Sequence, residues 1–262
     1  MIESKVVILE QWLKEREKMM VEESKAIIKF LNCDYELIPN KNKPNEIINR
    51  FNVLSEEGKV AGFYPLIIVP SDVLSESLES VLVDNNIENT PERIASIRQT
   101  AINTINGIDG KMFLSSRLDE LLKSHNDSSI ELLGNFTQSS PQNMLNLYMP
   151  YSEIIIAKIP AKNPWELAVW MPMGGFNDCP MPEEQAAVFR YWYERYGAIP
   201  AAVTYDTWQI VLTKPPLTKD EAEALAKEQF AFCSDIIYQG AETIRELASA
   251  LKNSTTWVFW WD

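Results

Sequence analysis

The sequence predicts an α/β or α+β protein in which helices flank a mixed β-sheet and a long amphipathic helix opens the chain. Apolar residues recur at helical spacing through most of its length. Short apolar runs at residues 62–69, 153–159 and 200–204 alternate with those helices, and turn residues separate the two kinds of segment. With 262 residues, 46% hydrophobic and 23% charged, the chain is large enough to bury a sizeable core.

Residues 2–31 read as one helix. Val6, Leu13, Met20 and Ile27 recur at sevens beside Ile2 and Leu9. Arg16 and Glu23 interrupt the second row, which favours a packed helix over a coiled coil. A short strand is expected at residues 35–38. Pro44 then opens a helix at its permissive first position, with Ile47, Phe51 and Leu54 on one face and Gly58 as its stop. Residues 62–69, GFYPLIIV, read as a buried strand with Pro65 near its start or at an edge. Ser71 or Asp72 caps a helix carrying Leu74, Leu78, Val81 and Leu82. Thr90-Pro91-Glu92 opens another, with Ile94, Ile97, Ala101 and Ile105 inward, and Leu114, Leu118, Leu121 and Leu122 mark one more.

Residues 124–142 are polar and lack periodicity, as in a linker or mobile loop. The expected division falls here, between an N-terminal α/β region at 1–140 and a C-terminal domain at 151–262. Strand resumes at residues 153–159. Residues 182–196 read as a helix, with Val188, Tyr191, Trp192 and Arg195 on one side and Gly197 at its end. Residues 200–204 and 208–213 read as paired strands joined near Tyr205-Asp206. Thr218-Lys-Asp-Glu221 is a capping box before Ala222, Leu225, Ala226 and Phe230, and Ile244, Leu247, Ala248 and Leu251 give the last helix. The closing Trp257-Val-Phe-Trp-Trp261 is apolar on both strand faces. Such a strand is covered on both sides, or keeps one face for a partner or for oligomerisation.

The formal net charge is −13, divided as −7 over residues 1–150 and −6 over residues 151–262. Acidity spread this way argues against nucleic acid and anionic membranes, which need basic surface, and permits a basic protein partner. Cys33, Cys179 and Cys233 are too widely spaced to suggest a disulfide framework or a zinc knuckle. The opening MIESKVVILEQWLKEREK has no signal-peptide layout, and no apolar run approaches the roughly 20 residues of a membrane span. A cytoplasmic location is expected.

The stretch around which the chain is organised is 164–182, PWELAVWMPMGGFNDCPMP, too punctuated by proline and glycine for a long helix. Seven of the eight tryptophans lie from Trp165 onward. No phosphate-binding glycine loop, dinucleotide fingerprint, HExxH, CxxC or GxSxG occurs. Ser249-Ala-Leu-Lys252 matches SxxK only by chance, at the end of an amphipathic helix. The sole histidine, His125, sits in a polar run where solvated loop histidines are commoner than catalytic ones. Cys179 is the one conceivable nucleophile. Gly174 and Gly175 would let backbone fold around a ligand, and the helix start near Pro182, with His125 or Arg190, could supply the positive field a thiolate needs. Against this, a free cysteine is more often a small buried hydrophobe. Asn177 and Asp178 suit loop bracing, Glu183 and Glu184 a helix start, and Asp206 a turn. The candidate binding residues are Trp165, Trp170, Gly174, Gly175, Phe176, Asn177, Asp178, Cys179 and Arg190. No catalytic residue, metal ligand or cofactor is assigned.

From Glu153 to Asp262 the chain resembles the bacterial family catalogued as domain of unknown function 4253. The resemblance rests on Pro164-Trp165, Trp170-Met-Pro172, Gly174-Gly-Phe-Asn-Asp-Cys-Pro180, Arg190-Tyr-Trp192, Arg195-Tyr-Gly197 and Ala202-Val-Thr204. It continues through Asp206-Thr207, Pro215-Pro216, Ala222, Ala226, Glu228-Gln229, Cys233-Ser-Asp235, Gln239-Gly240 and Phe259-Trp-Trp-Asp262. Phe176 stands where tryptophan is expected more often. The resemblance brings no activity with it. Such domains are similar in general character to small acidic immunity proteins of bacterial toxin systems. The leading expectation is therefore a non-enzymatic protein-binding module, an immunity-type inhibitor of a basic toxin. The alternative is an enzyme or small-ligand protein that uses the GGFNDC loop, with Cys179 as nucleophile.

Overall fold

A computed structural model describes residues 21–39, 43–84, 90–124, 132–146 and 153–262. The strands are β1 (Tyr35–Pro39), β2 (Tyr64–Ile68), β3 (Glu153–Ile159), β4 (Ile199–Val203), β5 (Thr207–Val211) and β6 (Thr256–Trp260). They form one six-stranded sheet in the order β1-β3-β2-β4-β5-β6. The helices are α1 (Glu22–Leu31), α2 (Pro44–Ala61), α3 (Asp72–Asp84), α4 (Pro91–Ile105) and α5 (Gly110–Ser124). After β3 come α6 (Leu167–Trp170), α7 (Pro182–Tyr196), α8 (Lys219–Phe232) and α9 (Ile244–Leu251). The fold is thus α+β, a mixed sheet flanked by helices. Of the long N-terminal helix expected from the sequence, only the part from Glu22 onward is described; residues 1–20 and His125 lie outside the described residues.

β2 runs antiparallel to β3 and parallel to β4, while the other neighbours are antiparallel. A strand from the first half of the chain therefore separates two strands from the second. Pro65, which lacks an N–H, pairs opposite Lys158 on the β3 side, and the β4 ladder starts only at Ile67↔Ala202. Pro200 likewise sits where the β4–β5 register shifts, so its missing donor falls at an irregularity.

Alternation along the strands sends two sets of side chains to two cores. Leu66, Ile68, Ile155, Ala157, Ile159, Trp208, Ile210, Trp257 and Phe259 belong to the larger core, shared with α1 and with α3 to α9. Ile67, Ile154, Ile156 and Ala202 belong to the smaller one, with Ile47, Phe51 and Leu54 of α2 and with Leu145. α2 does not stop at Gly58 as the sequence suggests: it runs on to Ala61, and Gly62 caps it at φ +79°. Gly58 is where the chain turns back on the helix, since a Cβ there would lie 2.2 Å from the Phe63 carbonyl oxygen. Buried Gln209 of β5 holds the 132–146 segment by a paired bond, accepting from Asn146 N and donating to Asn146 O, each at 2.7 Å.

Trp192 of α7 is the centre of the larger core. Its ring stacks on Phe259 at 5.5 Å and meets Phe232 and Trp257 edge-on at 5.1 and 5.4 Å. Offset and edge-to-face arrangements of this kind add to the area each ring buries. Trp192 Nε1 donates to Glu228 Oε2 at 3.0 Å, and the same carboxylate accepts from Tyr191 and Arg195, so α7 and α8 are joined by a satisfied polar group. On β6, Trp257 and Phe259 face this core while Val258 and Trp260 on the opposite face stay half-buried.

Because β2 fills the place between β3 and β4, residues 153–262 produced alone should show no cooperative thermal unfolding by circular dichroism, whereas the intact chain should. A sharp transition in the fragment would mean that β3 and β4 can close on each other without β2.

Candidate functional site

Between α6 and α7 the chain makes a tight loop over residues 174–179. Gly174 has φ +141° and Gly175 φ +74°, and Asn177 is left-handed at φ 48°, a conformation asparagine tolerates better than most residues. The loop closes on itself: Gly175 N donates to Cys179 O at 3.2 Å and Cys179 N to Phe176 O at 2.9 Å. Underneath lies Gln185 of α7, fully buried. Its Nε2 donates to Met173 O at 2.6 Å and Pro180 O at 2.7 Å, while its Oε1 accepts from Trp208 Nε1 at 2.7 Å. One amide thus joins both ends of the loop to the central sheet. Gly174 cannot carry a side chain, because a Cβ would lie 2.3 Å from both Gln185 Nε2 and Pro180 O.

Several chain segments converge on the outer side of this loop. Asn177 Nδ2 donates to Asp262 O at 2.8 Å, and Asp262 N donates to Asp235 Oδ2 at 3.1 Å. Gln239 Nε2 reaches Asp235 Oδ1 at 3.3 Å from the π-helical turn Ile236–Ala241. Cys233 Sγ donates to Trp260 O at 2.9 Å, and the Gly240 Cα leaves room for the Trp260 ring. Arg117 of α5 completes the assembly from below, donating to Asp178 O at 2.7 Å and Ala231 O at 2.9 Å. The segments Asn177-Asp-Cys179, Cys233-Ser-Asp235, Gln239-Gly240 and Trp260-Trp-Asp262, far apart in sequence, make one surface. The side chains of Asp178, Asp235 and Asp262 form no ion pair among the described residues. Tyr238 is exposed beside them, and its phenol is raised by partial burial and then by the Asp178 carboxylate.

The electrostatics of Cys179 are those of a core thiol. It is 5% exposed, its sulfur lies 3.8 Å from Met173 Sδ, and burial raises it well above the ordinary thiol range. Neither Arg117 nor the Gly175 N–H, which favour a thiolate, offsets that burial. Burial likewise pushes Cys33 up to about 11 and Cys233 up to about 12. All three cysteines are free.

Of the remaining candidates, only Phe176 belongs to the loop. Trp165 packs on Tyr193 at 5.4 Å, and Phe176 is partly buried against the larger core. Arg190 donates to Ile108 O at 2.7 Å, on the α4–α5 connection, and its bond does not reach the loop. Asp206 accepts from Thr204 and Thr207 within the β4–β5 turn. Glu184 Oε2 caps α7 by accepting from Met181 N at 2.8 Å. Trp170 lies under a side chain the sequence reading passed over: the Arg98 guanidinium carbon is 3.6 Å from its ring centroid. Arg98 is 8% exposed, and burial pulls it down to about 10. The available signal was its position on α4, a lone charge in the buried row Ile94, Arg98, Ala101, Ile105.

Among the described residues no helix is long and apolar enough to cross a membrane, and no cluster of three or more His, Cys, Asp or Glu side chains could hold a metal ion. Fold and site together define an α+β protein with a braced acidic loop surface. Residues 155–262 match the model of a family described as a domain of unknown function (DUF4253). Comparison with curated proteins and with solved structures gives no match. The matched segment starts within β3 and so holds β3 to β6 without the strand that runs between β3 and β4.

Replacing Gln185 by methionine keeps the volume but leaves two carbonyls and an indole N–H without partners. Urea unfolding should show the Gln185→Met variant less stable by roughly 3 kcal/mol or more, at ~1–3 kcal/mol per orphaned buried group. A loss below about 1 kcal/mol would mean that the loop holds itself. The thiols set a second expectation. Their folded pKa values lie above the ordinary value of 9.0, so their stabilisation is complete below that pH and is lost as pH rises towards 11 or 12. Stability from urea titrations should be level from neutral pH to about 8.5 and then fall by up to ~1.4 kcal/mol per pH unit for each buried thiol. Cys233→Ala should fall less steeply over that range.

Proposed function

We propose that this chain is a non-enzymatic binding protein that takes a basic protein partner, in the manner of an immunity-type inhibitor of a basic toxin. The observation that carries this is the convergence of Asp178, Asp235 and Asp262, none neutralised by an ion pair among the described residues, on a surface braced by backbone and side-chain bonds. With the Asp235 carboxylate bonded and the Asp178 and Asp262 backbones pinned, this surface loses little backbone freedom on binding a cationic partner, and the net charge of −13 steers that partner in. The same charge disfavours nucleic acid. Three free cysteines suit a reducing compartment, and we place the protein in the cytoplasm.

The enzymatic alternative has Cys179 as nucleophile. Its thiol is buried and burial raises it, and among the described residues neither Arg117 nor the Gly175 N–H offsets this, so the loop reads as a scaffold for the acidic surface.

The test is an affinity pull-down of the tagged chain from its native lysate, at low and high salt, alongside the Asp178→Asn/Asp235→Asn/Asp262→Asn variant. A stoichiometric basic partner should be retained at low salt, released at high salt and captured at least about tenfold less by the variant, as expected for three rim carboxylates. Equal capture by both proteins would place the partner elsewhere, and no basic partner at all would count against the reading.

A further inference from the structure

A cavity of about 410 Å³ lies between α4, α6 and the first turn of α7, with Phe30 of α1 at one side. This is within the range of roughly 300–1,000 Å³ that small-molecule sites occupy. Its walls are mostly apolar: Val81, Ile94, Ile97, Val169 and Met181. The polar lining residues are Ser96, Thr100, Glu183 and Arg98, and of these Arg98 lies in the buried row of α4. Arg98 donates through one terminal nitrogen to Phe30 O at 3.3 Å, but its buried Nε–H has no partner. Its guanidinium faces the Trp170 ring, and the buried Nε1–H of Trp170 is unpartnered as well. Among the described residues no carboxylate pairs with this cation.

A guanidinium taken out of water needs an anion or a full set of acceptors, and the described residues supply one carbonyl and the rings of Trp170 and Phe30. What the described residues leave unfilled is an acceptor of opposite charge. The start of α7 forms one wall at Pro182 and Glu183, placing the positive end of that helix beside the same space. Glu183 also limits how much negative charge the cavity accepts, because a second charge on the ligand would meet its carboxylate. One cation, an apolar lining and a rim carboxylate together select a monoanion with a hydrocarbon body.

We propose that this cavity binds a small apolar monocarboxylate, with its carboxylate on Arg98 and its hydrocarbon chain along Ile94, Ile97 and Val169. The proposal is independent of the acidic surface and of any protein partner. Binding stabilises only the folded state, so Tm rises with ligand concentration, logarithmically once the site is saturated.

The experiment titrates the full chain at neutral pH with hexanoate, octanoate and decanoate, using calorimetry and thermal shift, with octanol and octyl phosphate as controls. At least one carboxylate should bind with measurable heat and raise Tm, octanol should bind about tenfold more weakly for want of the charged pair, and octyl phosphate should bind more weakly than octanoate. Arg98→Met should weaken the carboxylate about tenfold or more while leaving octanol unaffected. Ile97→Trp keeps the cation but fills the cavity, and it should also lose binding, which covers the case in which Arg98→Met does not fold. The proposal is overturned if no carboxylate binds at millimolar concentration, if octanol binds as tightly as octanoate, or if Ile97→Trp binds unchanged. Tighter binding of octyl phosphate would overturn the monocarboxylate class.

Discussion

The position of β2 is the constraint on which the rest of the molecule depends. A strand placed between β3 and β4 must satisfy two ladders and fill both faces, and residues 64–68 do so with almost unbroken apolar side chains. Leu66 and Ile68 go to one core and Ile67 to the other, so one strand ties the two hydrophobic layers together. Without it, β3 and β4 would each expose an unpaired edge in the middle of the molecule. The C-terminal segment that matches the family model therefore forms its sheet around a strand it does not contain. The two regions expected on either side of residue 140 contribute to one sheet.

Behind that sheet, Trp192 and Gln185 divide the work on α7. Trp192 fixes the helix by packing, with Phe259, Trp257 and Phe232 around a ring whose only polar atom is bonded to Glu228. Gln185, two turns earlier, fixes the loop by hydrogen bonding, and it reaches Trp208 on the same face of the sheet. The loop needs that amide because tight turns at Gly174 and Gly175 leave carbonyls pointing inward with no regular ladder to receive them. Asn177 then carries the order outward to Asp262, so the acidic surface is positioned by a chain of bonds that starts in the core. Acidic residues on a floppy loop would lose more backbone entropy on meeting a partner than ones whose backbone is already pinned.

Much of this was legible in the sequence. Thr90, Thr218 and Pro44 mark helix starts by capping chemistry that is local, and the structure places them there. The strand at residues 153–159 is set by an apolar run with no helical period. Gly58 misled because a glycine can end a helix or admit a close neighbour, and only the path of Phe63 decides which. The convergence of Asp178, Asp235 and Asp262 was not legible: their separation in sequence is large, and what joins them is the route of β6 past the π-helical turn. Arg98 was visible as a charge in an apolar row, but the cavity beside it depends on how α6 and α7 pack against α4.

Arg98 sets the stability of the fold against its capacity to bind an anion. A buried arginine without a carboxylate weakens the folded state relative to an apolar residue of the same shape, and packing alone would favour methionine or leucine there. Stacking on Trp170 and one bond to Phe30 O recover part of the lost hydration. Among the described residues nothing supplies the rest, and an entering anion would. A site of this kind binds its ligand with the energy the empty protein forgoes, so affinity and stability are exchanged at the same residue. The acidic outer surface and the cationic cavity then have opposite preferences. An anion that reaches Arg98 must pass a negative exterior, which favours ligands whose single charge is carried by a largely apolar body.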